Sequence, residues 1–419
     1  MNTNNTIPRS YLRPFVLVTL LFLLWGLANN MTDTLLSAFK KIMSMSDTQT
    51  TLIQFAFYGA YFCLALPAAL FIRKHSYKSG VVLGLCLYAG GAILFMPAAK
   101  TASYAFYLIA IYVMAGGCSV LETTANPYIL SMGPAETATR RLNIAQAFNP
   151  IGSILGIVLS KVFILKDISL YSISGTYMTL GLVLLGILIV MLMIKMPEGR
   201  DDEGGQAEGV SMKSTIKRLW ANRRYRRGVV AQFFYVGAQI GVWSFTIRVV
   251  MQELGVNEAE AANVYLVAIV GFCASRFLYT WLMRYFAPSK LLVFGSVMSL
   301  VCALVVVMAA GTGWLLVTFL VLISIFMSLM FPTIYGLALE HVEQPERGGC
   351  VGDAKIGASG LIMAILGGAL LTPLQGVLSD TFSIYTSFVV PSVCFAVVLL
   401  YALYAVKCGS SAKWIGGVV

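Results

Sequence analysis

Two carboxylates stand inside otherwise apolar stretches. Asp33 lies in the run from Pro14 to Phe39, and Glu122 in the run from Tyr104 to Leu130. An ionisable acid at mid-bilayer costs about 2.5–3.5 kcal/mol on insertion scales, so it normally faces a water-filled cavity or a partner. Amides recur around both at helical spacing. Asn29 and Asn30 precede Asp33 by four and three residues, so the trio shares one helix face. Glu122 and Asn126 are four apart, just before Pro127, and Gln146 and Asn149 are three apart, just before Pro150. Gln232, Tyr235, Gln239 and Trp243 follow an i, i+3, i+7, i+11 stripe, and Gln54 and Tyr58 form a similar pair. The chemistry on offer is proton exchange by the acids, two-way hydrogen bonding by acids and amides, and an aromatic face for an apolar surface. That set suits a sugar, whose hydroxyls both donate and accept. A phosphate or carboxylate ligand would call for Arg or Lys in the same place. Arg276 is the one clear mid-run base, close enough to its run's end to snorkel or pair, and Arg248 and Lys355 lie near run ends. The plainer reading of each amide is helix-to-helix glue, worth about 0.6 kcal/mol per hydrogen bond, and the aromatics of the Gln232 stripe could simply pack.

The elements that must carry these groups are membrane spans. The chain has 419 residues, 58% hydrophobic and 11% charged, with a mean hydropathy of +0.82. A soluble domain carries about 25% charged residues. Spanning helices need about 20 mainly apolar residues, and the runs between charged or Gly/Pro breaks number twelve. They are 13–39, 50–72, 79–99, 103–131, 142–165, 171–195, 227–251, 261–283, 290–310, 313–339, 356–378 and 383–406. The pattern predicts an all-α membrane protein. The first run is too long for a cleavable signal peptide and lacks a small-residue cleavage site before the next span.

The net charge of +11 does not point to nucleic acid, because its placement follows the membrane. With twelve spans and an inside start, 21 of the 29 basic residues fall on the cytoplasmic side and only Lys40, Lys41, Lys100, Lys161 and Lys166 opposite. This positive-inside bias predicts both termini in the cytoplasm. The eight cysteines lack CxxC spacing and mostly sit within runs, as small apolar packing residues. No metal set, no cofactor motif and no nucleophile–base constellation is legible.

The charged, Gly-rich stretch Pro197–Gly205 interrupts the runs as a flexible linker. The basic segment from Lys213 to Arg227 follows it and suits an amphipathic helix on an anionic leaflet. The chain is thus expected to form a six-helix half over 1–195, a cytoplasmic linker over 196–222 and a second six-helix half over 223–419. Four ordered similarities at nearly one offset favour a duplication: Trp25–Asn29 with Tyr235–Gln239, Arg73 with Arg284, Asn126–Ile129 with Phe331–Ile334, and Ser153–Gly156 with Ala364–Gly367. Parallel repeats of this kind are the architecture of a major-facilitator transporter, with a site near the midplane between the halves. Gly116–Gly117 and Gly367–Gly368 are expected to permit close helix packing or bending.

Several stretches carry a more specific likeness. Trp25-Gly26-Leu27-Ala28-Asn29-Asn30-Met31-Thr32-Asp33, Cys118 to Pro127, Arg141 to Asn149, Ala231 to Gln239 and Phe331-Pro332-Thr333-Ile334-Tyr335 resemble the fucose–proton symporter family of major-facilitator proteins. The likeness runs over most of the chain. It implies that Asp33 and Glu122 serve proton coupling and sugar binding, and that Asn29, Asn30, Gln146 and Asn149 line the same cavity. The family also holds glucose/galactose and N-acetylglucosamine transporters, so the sugar stays open. The chain departs from the family pattern at Asp353 and Lys355, at Asn149-Pro150 and in a short loop after the fifth span. Its loop Arg73 to Gly80 is a degenerate form of the superfamily motif that lacks the acid.

The reading is a monomeric inner-membrane symporter that takes up a monosaccharide with protons by alternating access, L-fucose first, with glucose/galactose or an N-acetylhexosamine as the alternative sugars. An uncoupled sugar facilitator would not need the two acids. A drug–proton antiporter would use a more apolar pocket with fewer amides.

Overall fold

A computed structural model describes residues 6–42, 47–160, 163, 169–194, 196–197, 211–340, 342–343, 349–350 and 352–408. The side chains of 28–30, 32–41, 47–52, 54 and 259 lie outside the described set. Asn29, Asn30, Asp33 and Gln54 therefore have a described helical path but no described side chain. Residues 198–210 of the expected 196–222 linker fall outside as well.

The described chain is helical. The helices are α1 (Leu12–Ile42), α2 (Asp47–Lys74), α3 (Tyr77–Ile93), α4 (Phe95–Thr101), α5 (Tyr104–Ser131), α6 (Ala138–Gln146), α7 (Asn149–Leu159), α8 (Leu170–Met193) and α9 (Met212–Ala221). They continue with α10 (Arg223–Leu254), α11 (Glu258–Leu282), α12 (Pro288–Met308), α13 (Trp314–Met327), α14 (Met330–Leu339), α15 (Asp353–Met363), α16 (Leu366–Thr381) and α17 (Val389–Lys407). Among the described residues, twelve helices or helix pairs are long and apolar enough to cross a membrane. In hydrocarbon every backbone polar group must be satisfied within the segment, which leaves the helix as the spanning form for such runs.

Four spans are helix pairs: α3–α4, α6–α7, α13–α14 and α15–α16. The fifth span starts earlier than its apolar run, at Ala135 rather than 142. Arg140 and Arg141 end the run by composition, yet Arg141 is fully buried and donates to the Thr137 hydroxyl at 3.1 Å and the Pro134 carbonyl at 3.3 Å. Local hydrogen bonding lets the helix extend through charges that a hydropathy window rejects.

Small polar residues start the spans where the runs begin. The side chains of Ser76, Ser103, Ser169, Asn222 and Asn257 each accept a backbone N–H of the first turn of α3, α5, α8, α10 and α11. Asn222 thereby divides the basic segment into the separate helix α9 and the first turn of α10. At the far end of α8, Lys78 donates to the carbonyls of Leu192 and Ile194, both at 2.9 Å. A cation at a helix C-terminus answers both the open carbonyls and the dipole.

The chain divides into two compact units. The first comprises 1–133, 151–218 and 341–363, and the second 134–150, 219–340 and 364–419. The fifth and eleventh spans each contribute one helix to either unit, the chain passing from one to the other at their breaks.

In the first unit α5 packs on α2 and α3, α3 on α8, and α15 on α2 and α5. A Cβ added at Gly117 would lie 2.2 Å from the Tyr88 amide nitrogen, so only glycine admits α3 at that distance. The charges at the start of the eleventh span are spent here. Asp353, 2% exposed, takes a two-pronged ion pair from Arg218 of α9 at 2.6 and 2.8 Å and a third hydrogen bond from the Cys350 amide. Lys355 sits 4.8 Å from the centre of the Tyr77 ring.

In the second unit α10 packs on α11, α13, α14, α16 and α17, and α6 on α11 and α14. Gly367 is the close-approach point, where an added Cβ would lie 1.9 Å from the Phe233 carbonyl oxygen. Arg224, at the start of α10, pairs with Glu340 at the end of α14.

Candidate functional site

Glu122 projects from α5 in the first unit. It is 1% exposed, flanked on its own helix by the fully buried Ser119, Thr123, Thr124 and Asn126. Neither carboxyl oxygen makes a hydrogen bond of standard geometry among the described residues. Asn126, one turn on, lies within loose hydrogen-bonding reach of the carboxyl, as the i, i+4 spacing allows. Tyr61 of α2 is also within reach of Glu122, and Tyr61 and Trp25 of α1 stack with ring centres 6.4 Å apart. The Tyr61 hydroxyl and the Trp25 indole N–H are buried and lie within loose hydrogen-bonding reach of each other, with no bond of standard geometry among the described residues. Phe22 and Phe57 enclose the pair, at 5.9 Å from Trp25 and 5.4 Å from Tyr61.

Buried polar atoms that are poorly bonded cost free energy, and native interiors keep few of them. Here two acceptors and two donors cluster against aromatic walls. Such a group can exchange a proton at the carboxyl and hydrogen-bond a polyol. The proximity of Tyr61 and Trp25 to Glu122 was not among the sequence expectations. Trp25 opens one of the stretches that resemble the symporter family, but Tyr61 offers no spacing signal.

The second unit carries a separate polar group. On α10, Gln232 and Tyr235 are fully buried, and both Gln232 amide atoms and the Tyr235 hydroxyl lack a hydrogen bond among the described residues. Gln239 and Trp243 are half-buried. Trp243 is fastened: its indole N–H donates to the Ser324 hydroxyl at 3.3 Å and its ring meets Phe272 edge-on at 5.0 Å. Gln146 is 4% exposed at the end of α6, and Asn149 is half-buried at the start of α7. Arg276 does not snorkel. It is 3% exposed and donates to the carbonyl oxygens of Gln146 and Ser328, each at 2.8 Å, with Tyr235 within electrostatic reach. Tyr235, Arg276 and Gln146 thus meet within this unit.

Sequence reasoning missed Gln375 on α16. It is fully buried, with both amide atoms unbonded among the described residues. Its oxygen would lie 2.3 Å from a Cβ added at Gly241, so α10 is notched by glycine to admit it. A single glutamine in a Gly-rich run gives no periodic signal.

Twelve apolar spans holding buried polar groups define a multi-pass membrane protein. The chain belongs to the Major Facilitator Superfamily, whose family model matches residues 18–365. It is 39% identical to the L-fucose-proton symporter of Haemophilus influenzae, over 95% of this chain and 98% of that protein. It is 32% identical to the glucose/galactose transporter of Brucella abortus, over 97% of each. Among solved structures, it superposes on the major facilitator transporter FucP in the outward conformation with a TM-score of 0.85 and 35% identity, covering 95% of this chain and 99% of that one.

Proposed function

We propose that the protein is a proton-coupled symporter that imports a monosaccharide by alternating access, with L-fucose as its sugar. The observation that carries this is Glu122, a carboxyl buried in a membrane span beside the neutral polar groups of Asn126 and Tyr61, with the Trp25 ring stacked on Tyr61. Burying such an acid in a membrane span is costly, and reversible protonation with sugar binding gives it a use that helix glue does not. The L-fucose-proton symporter of Haemophilus influenzae supplies the sugar and the coupling ion by similarity.

In this reading Asp33 and Glu122 couple the proton. Glu122 also binds sugar, together with Asn29, Asn30, Asn126, Gln146, Asn149, Gln232, Tyr235, Gln239 and Trp243. The transporter works as a monomer in the inner membrane with both termini in the cytoplasm, as two six-helix halves joined by the 196–222 linker. The likeness to the Brucella abortus transporter favours glucose/galactose as the second reading for the sugar.

The test is uptake of radiolabelled L-fucose, galactose, glucose and N-acetylhexosamines into proteoliposomes, with and without an inward proton gradient. Accumulation of L-fucose above equilibrium, abolished by a protonophore, is expected. Equilibration that ignores the gradient would replace symport by facilitation. Accumulation of another sugar in its place would reassign the substrate.

A further inference from the structure

Arg276, on α11, is buried, and among the described residues it pairs with no carboxylate. Its two backbone acceptors have something in common. In an α-helix the carbonyl of residue i accepts the N–H of residue i+4. Four residues beyond Gln146 stands Pro150, and four beyond Ser328 stands Pro332. Proline has no N–H to give. The guanidinium Nη1 donates to the Gln146 oxygen and Nε to the Ser328 oxygen, both at 2.8 Å. Arg276 therefore supplies, from a third helix, the two donors that these prolines withhold. The helices break where this happens, between α6 and α7 and between α13 and α14. The neighbouring Ser275 hydroxyl bonds the Ser328 hydroxyl at 2.9 Å, and Asn143 of α6 donates to Thr333 of α14 at 3.3 Å. All of these residues belong to the second unit.

We propose that Arg276 is a positioning residue, a latch that ties the two proline-freed carbonyls together and so sets the break from which Gln146 and Asn149 face the sugar. The rigid guanidinium fork suits two separate acceptors, whereas a lysine offers a point charge. The ligand-binding part of the proposal rests on the sugar-symport reading, and the latch itself does not.

The test compares Arg276→Gln with the same substitution combined with Pro150→Ala and Pro332→Ala, which restore both N–H groups. The midpoint of thermal unfolding is measured on sugar-free protein in detergent, and L-fucose affinity by calorimetry. Arg276→Gln is expected to lower the midpoint and weaken L-fucose at least tenfold. The triple variant is expected to recover most of both losses, the non-additivity that marks residues acting as one unit. If Arg276→Gln alone does not yield folded protein, a monodisperse triple variant that binds L-fucose supports the latch. A triple variant no more stable than Arg276→Gln, or equally unfolded, overturns it. Thermal recovery without recovery of affinity overturns the positioning role. If the unaltered protein binds no L-fucose, the symport reading fails, and thermal recovery alone decides the latch.

Discussion

At Glu122 a single side chain is asked to be buried, to titrate and to recognise a ligand. Hydrogen bonds to a charged group are worth about 1.5–3 kcal/mol. Glu122→Ala is therefore expected to weaken sugar binding at least tenfold, the equivalent of about 1.4 kcal/mol. Glu122→Gln keeps an acceptor oxygen but cannot change protonation, so it should retain part of the binding and lose its pH dependence. Calorimetry across a pH series on folded protein measures both, and unchanged affinity with unchanged pH dependence in the two variants would make Glu122 structural. Asp33 is read from sequence, because its side chain lies outside the described residues. Asp33→Asn should abolish uphill accumulation and spare sugar counterflow. Proteoliposomes assayed in the two modes separate these, and full proton-driven accumulation by the variant would remove Asp33 from coupling. Asp33 and Glu122 were legible because an acid in an apolar run is conspicuous. Tyr61 was not, because a tyrosine in an apolar run is ordinary until its hydroxyl is seen beside a carboxyl.

Helix contacts make predictions of a different kind. Gly117 meets the Tyr88 backbone, and an added methyl 2.2 Å from a main-chain nitrogen cannot be relieved by rotating a side chain. Gly117→Ala should separate α3 from α5 and lower the unfolding midpoint. Gly59→Ala is the control, since nothing lies within 4 Å of its added Cβ, and alanine gains about 0.5–1 kcal/mol over glycine in a helix interior. Equal midpoints for the two variants would contradict the close-approach account. The tether between α9 and α15 should respond asymmetrically. Arg218→Ala leaves Asp353, 2% exposed, with the Cys350 amide as its one remaining hydrogen-bond partner among the described residues, and a stranded buried charge is costly. Asp353→Asn keeps an acceptor for that amide and frees an arginine whose side chain is already 26% exposed. Protease protection of α9 should fall further in Arg218→Ala than in Asp353→Asn, and the reverse order would show that the tether is not electrostatic. From sequence Asp353 and Lys355 read as departures from a family pattern. They are a salt bridge and a cation over an aromatic ring.

For the whole chain the governing quantity is the distribution of positive charge, 21 basic residues against five across the expected membrane. A phosphatase that is active only outside the cytoplasm should be silent when fused to the C-terminus. It should be active when inserted in the segment between α4 and α5. Activity at the C-terminus would invert the topology. The class of protein and the number of spans follow from the chain read alone, for a reason specific to lipid. A bilayer demands length, apolarity and internal backbone bonding from every crossing segment, and each of these is local.

The same locality explains the legible part of the site. Asn126 follows Glu122, and Tyr235 follows Gln232, at helical intervals, so each pair had to share a face. Which face meets what could not be read in this way. Arg276 finds its acceptors 130 and 52 residues away, and Arg218 finds Asp353 at a separation of 135. Gln375 settles into the notch at Gly241 because α10 and α16 pack there. By its place in the run Arg276 could snorkel or pair, and it pairs, held inside by two carbonyls that prolines on other helices leave without donors. Composition and period specify what each helix must hide from lipid, whereas the partners of the hidden polar atoms are set by side-chain packing between helices distant in the chain.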